Sequence, residues 1–229
     1  MNEIIQAIAV YALPVIFAIT LHEAAHAYAA KYFGDNTAYS QGRMSLNPMR
    51  HIDPFGTLIL PALLYITSAA VGATPMMLGY AKPVPVEYGR LRNPKKQMAF
   101  VALAGPMANF VMATGWLIAL KLMPSMHISE AYFIKMAIAG IQTNIAMFVF
   151  NLLPIPPLDG SRVVYSLLPN RMAINYGKLE PYGMFIVFGL LILQTQNILP
   201  LLALWFNPMA NLTETLLYWT VSPLTFLLS

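Results

Sequence analysis

The sequence predicts an all-α polytopic membrane protein with about five to six transmembrane helices and short re-entrant or extended segments near its functional site. Of the 229 residues, 58% are hydrophobic and only 10% are charged, a balance that ordinary soluble domains do not have. Several apolar stretches also approach the ~20 residues that a helix needs to cross a bilayer. We expect residues 1–229 to form a single membrane-embedded domain, with a core at about 4–168 and additional spans at about 183–228.

The predicted spans follow one another along the chain and leave no room for a further soluble domain. They lie at residues 4–30, 54–71, 98–122, 131–153 and 183–206, and a last apolar stretch at 212–228 would either span the membrane or lie at its surface. Glu3 stands where a cleaved signal peptide would carry a basic residue, so the first span is expected to be retained.

Basic residues mark the loops that we expect on the cytoplasmic side. Lys31, Arg43 and Arg50 follow the first span, and five further Lys and Arg residues lie between positions 82 and 96. Both loops are therefore cytoplasmic by the positive-inside rule. The chain between them must leave and return, and the proline-rich residues 72–86 are expected to return partly as extended chain buried against protein, because unpaired amides are costly in lipid.

The first span contains the sequence HEAAH at positions 22–26, which indicates a metal site. His22 and His26 are four residues apart, so on a helix they lie one turn apart on one face and can share a metal ion. Glu23 lies beside them and can act as a general base on metal-activated water. Ionisable side chains inside an apolar span are costly and favour a functional interpretation, although a polar helix end at the membrane surface would also explain them.

A catalytic zinc ion usually has three protein ligands and one open position, so a third ligand is required. The chain has no cysteine, which leaves histidine and carboxylate side chains. Asp159 follows the proline-broken segment NLLPIPPLDGS, where irregular backbone allows a carboxylate to turn inward. His51 is the alternative ligand, whereas Asp53 is expected to cap a helix that begins at Pro54.

Several segments, taken in order, resemble the site-2 protease family of intramembrane zinc metalloproteases, peptidase family M50, in its short form without a PDZ or CBS domain. They are HEAAH at 22–26, NPMRHIDPFGTLILP at 47–61, GYAKPVPV at 79–86, ALAGPMANF at 102–110 and FNLLPIPPLDGSRV at 150–163. The resemblance implies one zinc ion per chain bound by His22, His26 and Asp159, with Glu23 as general base. It also implies that Asn151 helps to hold substrate backbone or the developing oxyanion. Tyr80 departs from the pattern, since a tryptophan would be expected there.

Several other polar residues have alternative roles. Asn144 and Asn151 are seven residues apart and share a helix face, so either could donate to an oxyanion or form hydrogen bonds between helices. Lys82 lies in the segment expected to line the substrate path, where it would contact substrate or set the topology, and where extended chain could pair with unwound substrate. Asn109 is expected to pack helices together, and His127 to be a solvated loop residue.

The expected partners are the lipid bilayer and a transmembrane helix of a membrane-protein substrate. The resemblance implies a multi-pass protein of the cell membrane that cuts near the cytoplasmic face. The net charge of +4 is scattered through loops and gives no reason to expect nucleic-acid binding, and the sequence indicates no oligomeric state. An alternative function is a membrane metal-ion transporter or channel that uses the same His, Glu and Asp cluster, although a glutamate placed as a base and the lack of repeated halves argue against it.

Overall fold

The computed structural model describes residues 2–59, 81–195 and 201–228, and these residues form helices and connecting loops with no strand among them. The helices are α1 (Asn2–Tyr32), α2 (Thr37–Ser40), α3 (Pro94–Leu122), α4 (Ala131–Asn151), α5 (Asp159–Leu167), α6 (Asn170–Gly177), α7 (Glu180–Thr195) and α8 (Leu201–Leu228). Shorter helical turns lie at Pro48–Arg50, Pro54–Ile59 and Tyr88–Arg90. The predicted all-helical class is confirmed for the described part of the chain.

Among the described residues, three helices are long and apolar enough to cross a membrane. They are Ile8–Tyr32 within α1, the whole of α3 and the whole of α4, and a fourth span results if α6 and residues Glu180–Leu193, bent by 63°, form one broken span. Large apolar side chains of α1, such as Ile8 and Phe17, are exposed rather than buried, as expected where lipid is the solvent. The chain is therefore a membrane protein. The predicted total of five to six spans is not reached by the described residues, and most of the predicted span at 54–71 lies outside them.

Helix α3 lies at the centre of the bundle and contacts α1, α4, α5 and α8. It begins at Pro94, whose fixed φ and missing N–H suit the first helical position. The side chain of Gln97 accepts a 2.7 Å hydrogen bond from the N–H of Asn93 just before the helix, which gives a partner to a backbone donor at the helix start. Because α3 touches α1 and α5 together, it fixes how these two helices approach each other.

The sequence prediction for the last apolar region was wrong in one respect. A span ending at residue 206 and a separate stretch from 212 were expected, but α8 is continuous from Leu201 to Leu228. Trp205 and Leu217 on this helix pack into a cluster with residues of α3 and α4, and the Trp205 indole donates a 3.0 Å hydrogen bond to the Val149 carbonyl. These contacts explain why the helix continues through Pro208, which removes one backbone donor.

Residues 81–87 are extended and lie against the loop that follows α1. The N–H of Lys82 donates to the His51 carbonyl at 2.9 Å, and the Arg43 guanidinium donates to the Lys82 carbonyl at 2.7 Å. Farther along, the N–H of Glu87 donates to the Asp35 carboxylate at 2.7 Å. We call residues 81–87 the extended segment. It is bonded to the loop after α1 at these three points, and most of the stretch 72–86 that was expected to be extended lies outside the described residues.

Candidate metal centre

The two histidines of HEAAH lie on one face of α1 and are almost fully buried. His22 is 4% exposed and His26 is 8% exposed. Their Nε2 atoms are 3.0 Å apart, which the one-turn separation on a helix allows. Helix α1 alone therefore presents two imidazole nitrogens to one point.

Asp159 reaches the same point from the first turn of α5. Its Oδ2 atom lies 3.2 Å from His22 Nε2 and 3.3 Å from His26 Nε2. The next residue, Gly160, allows this approach, because a Cβ at that position would lie 2.2 Å from the Leu152 carbonyl oxygen. The proline-rich loop after α4 and this glycine together bring the carboxylate inward.

Helix α3 provides the space in which the two imidazoles sit. A Cβ at Gly105 would lie 2.3 Å from His26 Nε2 and 2.6 Å from His22 Cε1. Val101, Gly105 and Asn109 are spaced four residues apart, so they form one stripe along α3. This stripe faces the histidines, since the Val101 carbonyl and the Asn109 side chain both contact their Nδ1 atoms.

Hydrogen bonds at the rear of each ring determine which nitrogen faces the cluster. His26 Nδ1 is 2.7 Å from the Val101 carbonyl oxygen, and His22 Nδ1 is 2.6 Å from Asn109 Oδ1. Both oxygens can only accept, so each Nδ1 carries the hydrogen. In the neutral rings, each Nε2 therefore presents a lone pair to the other and to the Asp159 carboxylate.

The three ligand atoms fit a bound cation. Buried Asp159 Oδ2 has no hydrogen-bond donor within the described part of the chain, and the converging lone pairs repel each other unless a positive charge lies between them. Their separations of 3.0, 3.2 and 3.3 Å are close to the ~3.3 Å between ligands of a tetrahedral zinc ion with bonds of about 2.0 Å. His22, His26 and Asp159 could thus hold a metal ion, and their chemistry suits zinc.

Glu23 is half-buried and turned toward the extended segment. Its Oε2 atom accepts a 2.9 Å hydrogen bond from the N–H of Val84. Arg43, only 7% exposed, also lies near enough to interact electrostatically: burial lowers the pKa of its guanidinium, and the Glu23 carboxylate opposes that shift. A backbone donor and a buried cation therefore surround the predicted general base.

The structure places His51 and Asp53 outside the metal cluster. His51 is fully buried, and its Nε2 lies 2.8 Å from the Ser45 carbonyl, so this nitrogen donates and orders a loop. Asp53 Oδ1 accepts a 2.7 Å hydrogen bond from the Gly56 N–H, which confirms the predicted cap of the helical turn that begins at Pro54. Asp159, rather than His51, lies beside the two histidines.

The three tentative substrate-contacting residues have no hydrogen bond to the metal cluster among the described residues. Asn151 donates to the Met147 carbonyl of its own helix at 3.0 Å. Asn144 is fully buried behind the histidines and donates to the Gly140 carbonyl at 2.8 Å, so its position favours helix packing over the oxyanion alternative. The Lys82 side chain is exposed, and the hydrogen bonds of this residue are made by its backbone.

Asn109 is the site residue that the sequence analysis missed. It was expected only to pack helices, yet it accepts the hydrogen bond from His22 Nδ1. The signal was its spacing of four residues from Gly105 in ALAGPMANF, which puts it on the glycine's face of the helix. Nothing in the sequence, however, shows that this face meets HEAAH.

Comparison with known proteins identifies relatives along most of the chain. No protein-family model matches it, and no solved structure matches it. The Bacillus subtilis protein named "Putative zinc metalloprotease YwhC" is 37% identical over 187 residues, which cover 77% of this chain and 76% of that protein.

Two more distant relatives are both named "Putative zinc metalloprotease Rip2". The protein from Mycolicibacterium smegmatis is 30% identical over 80% of this chain and 66% of its own length. The protein from Mycobacterium tuberculosis (strain H37Rv) is 30% identical over 78% of this chain and 63% of its own length. The identity and coverage shared with YwhC show that this chain belongs to the same family of zinc metalloproteases.

Proposed function

We propose that this protein is an intramembrane zinc metalloprotease of the site-2 protease type, which hydrolyses peptide bonds in transmembrane segments of other membrane proteins. The observation that carries the proposal is the meeting of His22, His26 and Asp159 at one buried point, with Glu23 next to His22 on the same helix. The helix that holds three of these residues is apolar enough to span a membrane. The names of the relatives support the zinc metalloprotease activity.

The proposed ligands are His22 Nε2, His26 Nε2 and one oxygen of Asp159. Zinc held there would supply Lewis-acid activation of a water molecule and of the scissile carbonyl. Three protein ligands leave one coordination position open for reaction, as catalytic zinc sites require. The rear hydrogen bonds to Val101 and Asn109 keep both imidazoles turned toward the ion.

Glu23 is the proposed general base. Its carboxylate takes a proton from the attacking water as the new carbon–oxygen bond forms, and gives a proton to the leaving amine nitrogen as the peptide bond breaks. The Val84 N–H holds one carboxylate oxygen, which limits rotation of the side chain. The base is thereby oriented before substrate arrives.

The extended segment is less suited to pair with substrate than its sequence suggested. The N–H groups of Lys82, Val84 and Glu87 already donate to His51, Glu23 and Asp35. Pro83 and Pro85 have no N–H. Five of the seven positions in 81–87 therefore have no free donor for a substrate strand, and we assign the segment the task of holding Glu23.

The proposed orientation places the metal toward the cytoplasm. The loops before α3 and after α1 both carry several basic residues, which favours the cytoplasmic side. The Arg43 to Lys82 and Asp35 to Glu87 contacts join these loops, which supports their location on one side of the membrane. The site would then open to the cytoplasmic leaflet.

Cleavage of a model transmembrane substrate in proteoliposomes tests the proposal. Glu23→Gln should keep one zinc ion per chain and lose about 10²-fold or more in turnover, the usual effect of removing a general base. Asp159→Ala should lose both zinc and turnover. Glu130→Gln is the matched control, because the side chain of this exposed glutamate just before α4 makes no capping hydrogen bond and its replacement should leave the rate unchanged.

Two results would contradict the proposal. If Glu23→Gln cleaves the substrate at the rate of the unaltered protein, Glu23 is not the general base. Zinc flux into the vesicles without peptide cleavage would favour the transporter alternative, since both functions could use the same ligands.

A further inference from the structure

Two asparagines connect the metal cluster to the packing of the helices behind it. Asn109 of α3 and Asn144 of α4 are both fully buried. Asn109 Oδ1 lies 2.6 Å from His22 Nδ1, and Asn109 Nδ2 lies 3.0 Å from Asn144 Oδ1. Asn144 Nδ2 lies 2.8 Å from the Gly140 carbonyl oxygen. These contacts form one chain of hydrogen bonds from α4 through α3 to α1.

The chain has only one direction that satisfies all of its members. The Gly140 carbonyl can only accept, so Asn144 must direct its NH₂ group there and its oxygen toward Asn109. Asn109 must then direct its own NH₂ group toward Asn144, which leaves its oxygen for His22. The Ala18 carbonyl, 3.2 Å from Asn109 Nδ2, requires the same orientation because it too can only accept.

The orientation of the Asn109 amide determines the tautomer of the metal ligand His22. An amide oxygen cannot donate, so His22 must carry its hydrogen on Nδ1 and leave Nε2 bare. Rotating either amide by half a turn would place two donors or two acceptors against each other inside the bundle, which is costly where no water can pair with them. The orientation of two asparagine amides thus determines which nitrogen of His22 faces the cluster.

We infer that Asn109 and Asn144 are positioning residues of the metal centre, which hold His22 in the ring orientation and tautomer that bind the ion. The inference depends on the proposed function only in taking a metal ion as what His22 binds. If the two asparagines only packed helices together, the hydrogen bond between Asn109 and Asn144 would suffice, and no acceptor would be needed at His22 Nδ1. Partners of this kind typically change metal affinity by about 10-fold to 100-fold.

The test measures zinc affinity of the purified full-length chain by competition with a chromophoric chelator, together with the absorption spectrum of the cobalt-substituted protein. Asn109→Leu should weaken zinc binding by about 10-fold to 100-fold and alter the cobalt bands. Asn109→Asp should weaken zinc binding less than Asn109→Leu, because one carboxylate oxygen still accepts from Nδ1, while the other loses the donor that faced Asn144 and Ala18. Asn144→Leu should have a smaller effect than Asn109→Leu, since Ala18 still holds the Asn109 amide.

Trp205→Phe is the matched control, because it removes a hydrogen bond between α8 and α4 that includes neither the ligands nor the two asparagines. It should lower thermal stability and leave zinc affinity and the cobalt spectrum unchanged. Unchanged zinc binding in Asn109→Leu would overturn the inference. If Asn109→Leu does not fold, unchanged zinc affinity in Asn109→Ala, which removes the acceptor without adding bulk, overturns it instead.

The readouts separate this inference from the proposed function. Zinc affinity is measured whether or not a peptide is cut. A chain that binds zinc with the predicted dependence on Asn109 but cleaves no transmembrane substrate would refute the protease proposal alone. A chain that cleaves normally with Asn109→Leu and binds zinc as tightly would refute the positioning role alone.

Discussion

Adding one methyl group at Gly105 should weaken metal binding without unfolding the protein. In Gly105→Ala the new Cβ would lie 2.3 Å from His26 Nε2, whereas ordinary contacts begin at 3.4 Å. The ring would have to move by about 1 Å. It cannot retreat freely, because its Nδ1 is bonded to the Val101 carbonyl at 2.7 Å.

The size of the effect follows from the cost of overpacking. Such insertions cost about 1–3 kcal/mol, and about 1.4 kcal/mol corresponds to a tenfold change in a binding constant. If the strain is relieved when His26 moves away from the ion, zinc binding should weaken by about 5-fold to 150-fold. Turnover should fall as well, since a displacement of ~1 Å at a reacting centre can cost about 10²-fold.

A second glycine of the same helix provides the control. A Cβ at Gly115 would meet no atom of the described residues within 4 Å beyond the neighbouring backbone of its own helix, so Gly115→Ala should leave zinc affinity unchanged. Both variants would be compared by chelator competition, with circular dichroism to verify that helix content is retained. If Gly105→Ala binds zinc as tightly as Gly115→Ala, then α3 does not approach the histidines as described.

Three further predictions concern residues outside the ligand set. Arg43→Met should keep zinc but lower turnover by about tenfold or more, because the extended segment that orients Glu23 loses its hydrogen bond from the Arg43 guanidinium. Zinc content and cleavage rate would be measured on one preparation, and an unchanged rate would contradict the prediction. His51→Ala should keep one zinc ion per chain and lose about 1–3 kcal/mol of stability with its buried hydrogen bond; loss of zinc here, with normal zinc in Asp159→Ala, would show that the ligand assignment is wrong. His127→Gly should raise the thermal unfolding temperature, with a gain of about 0.5–1 kcal/mol, because His127 has a φ of 57° that glycine adopts without steric cost; a lower unfolding temperature would contradict it.

The sequence was most informative where the relevant geometry is local. The pair His22 and His26 needs only a helix to bring two imidazoles together, and the pattern of apolar residues predicts that helix. Asp159 was the preferred third ligand because prolines and a glycine surround it, which is again a local property. Its distance from the histidines depends on helix packing, and only the structure gives it.

Contacts between different helices were the least predictable. Asparagines in apolar helices are expected to pair, but the partner depends on how each helix is rotated about its axis. Asn109 therefore looked like a packing residue and Asn144 like a possible oxyanion donor, although both lie behind His22. The continuity of α8 through Pro208 was missed for the same reason, since contacts with α3 and α4 stabilise it.

Under the proposed function and orientation, the position of the ligands along α1 sets how many apolar residues of a substrate helix stay on its cytoplasmic fragment. The apolar part of this helix ends at Tyr32, so His26 and His22 lie six and ten residues from that end, or about 9–15 Å at 1.5 Å per residue. A substrate helix cut at this depth would keep a tail of about six to ten apolar residues. Such a tail is much shorter than the ~20 residues that span a bilayer, so cleavage would detach the fragment from its membrane anchor.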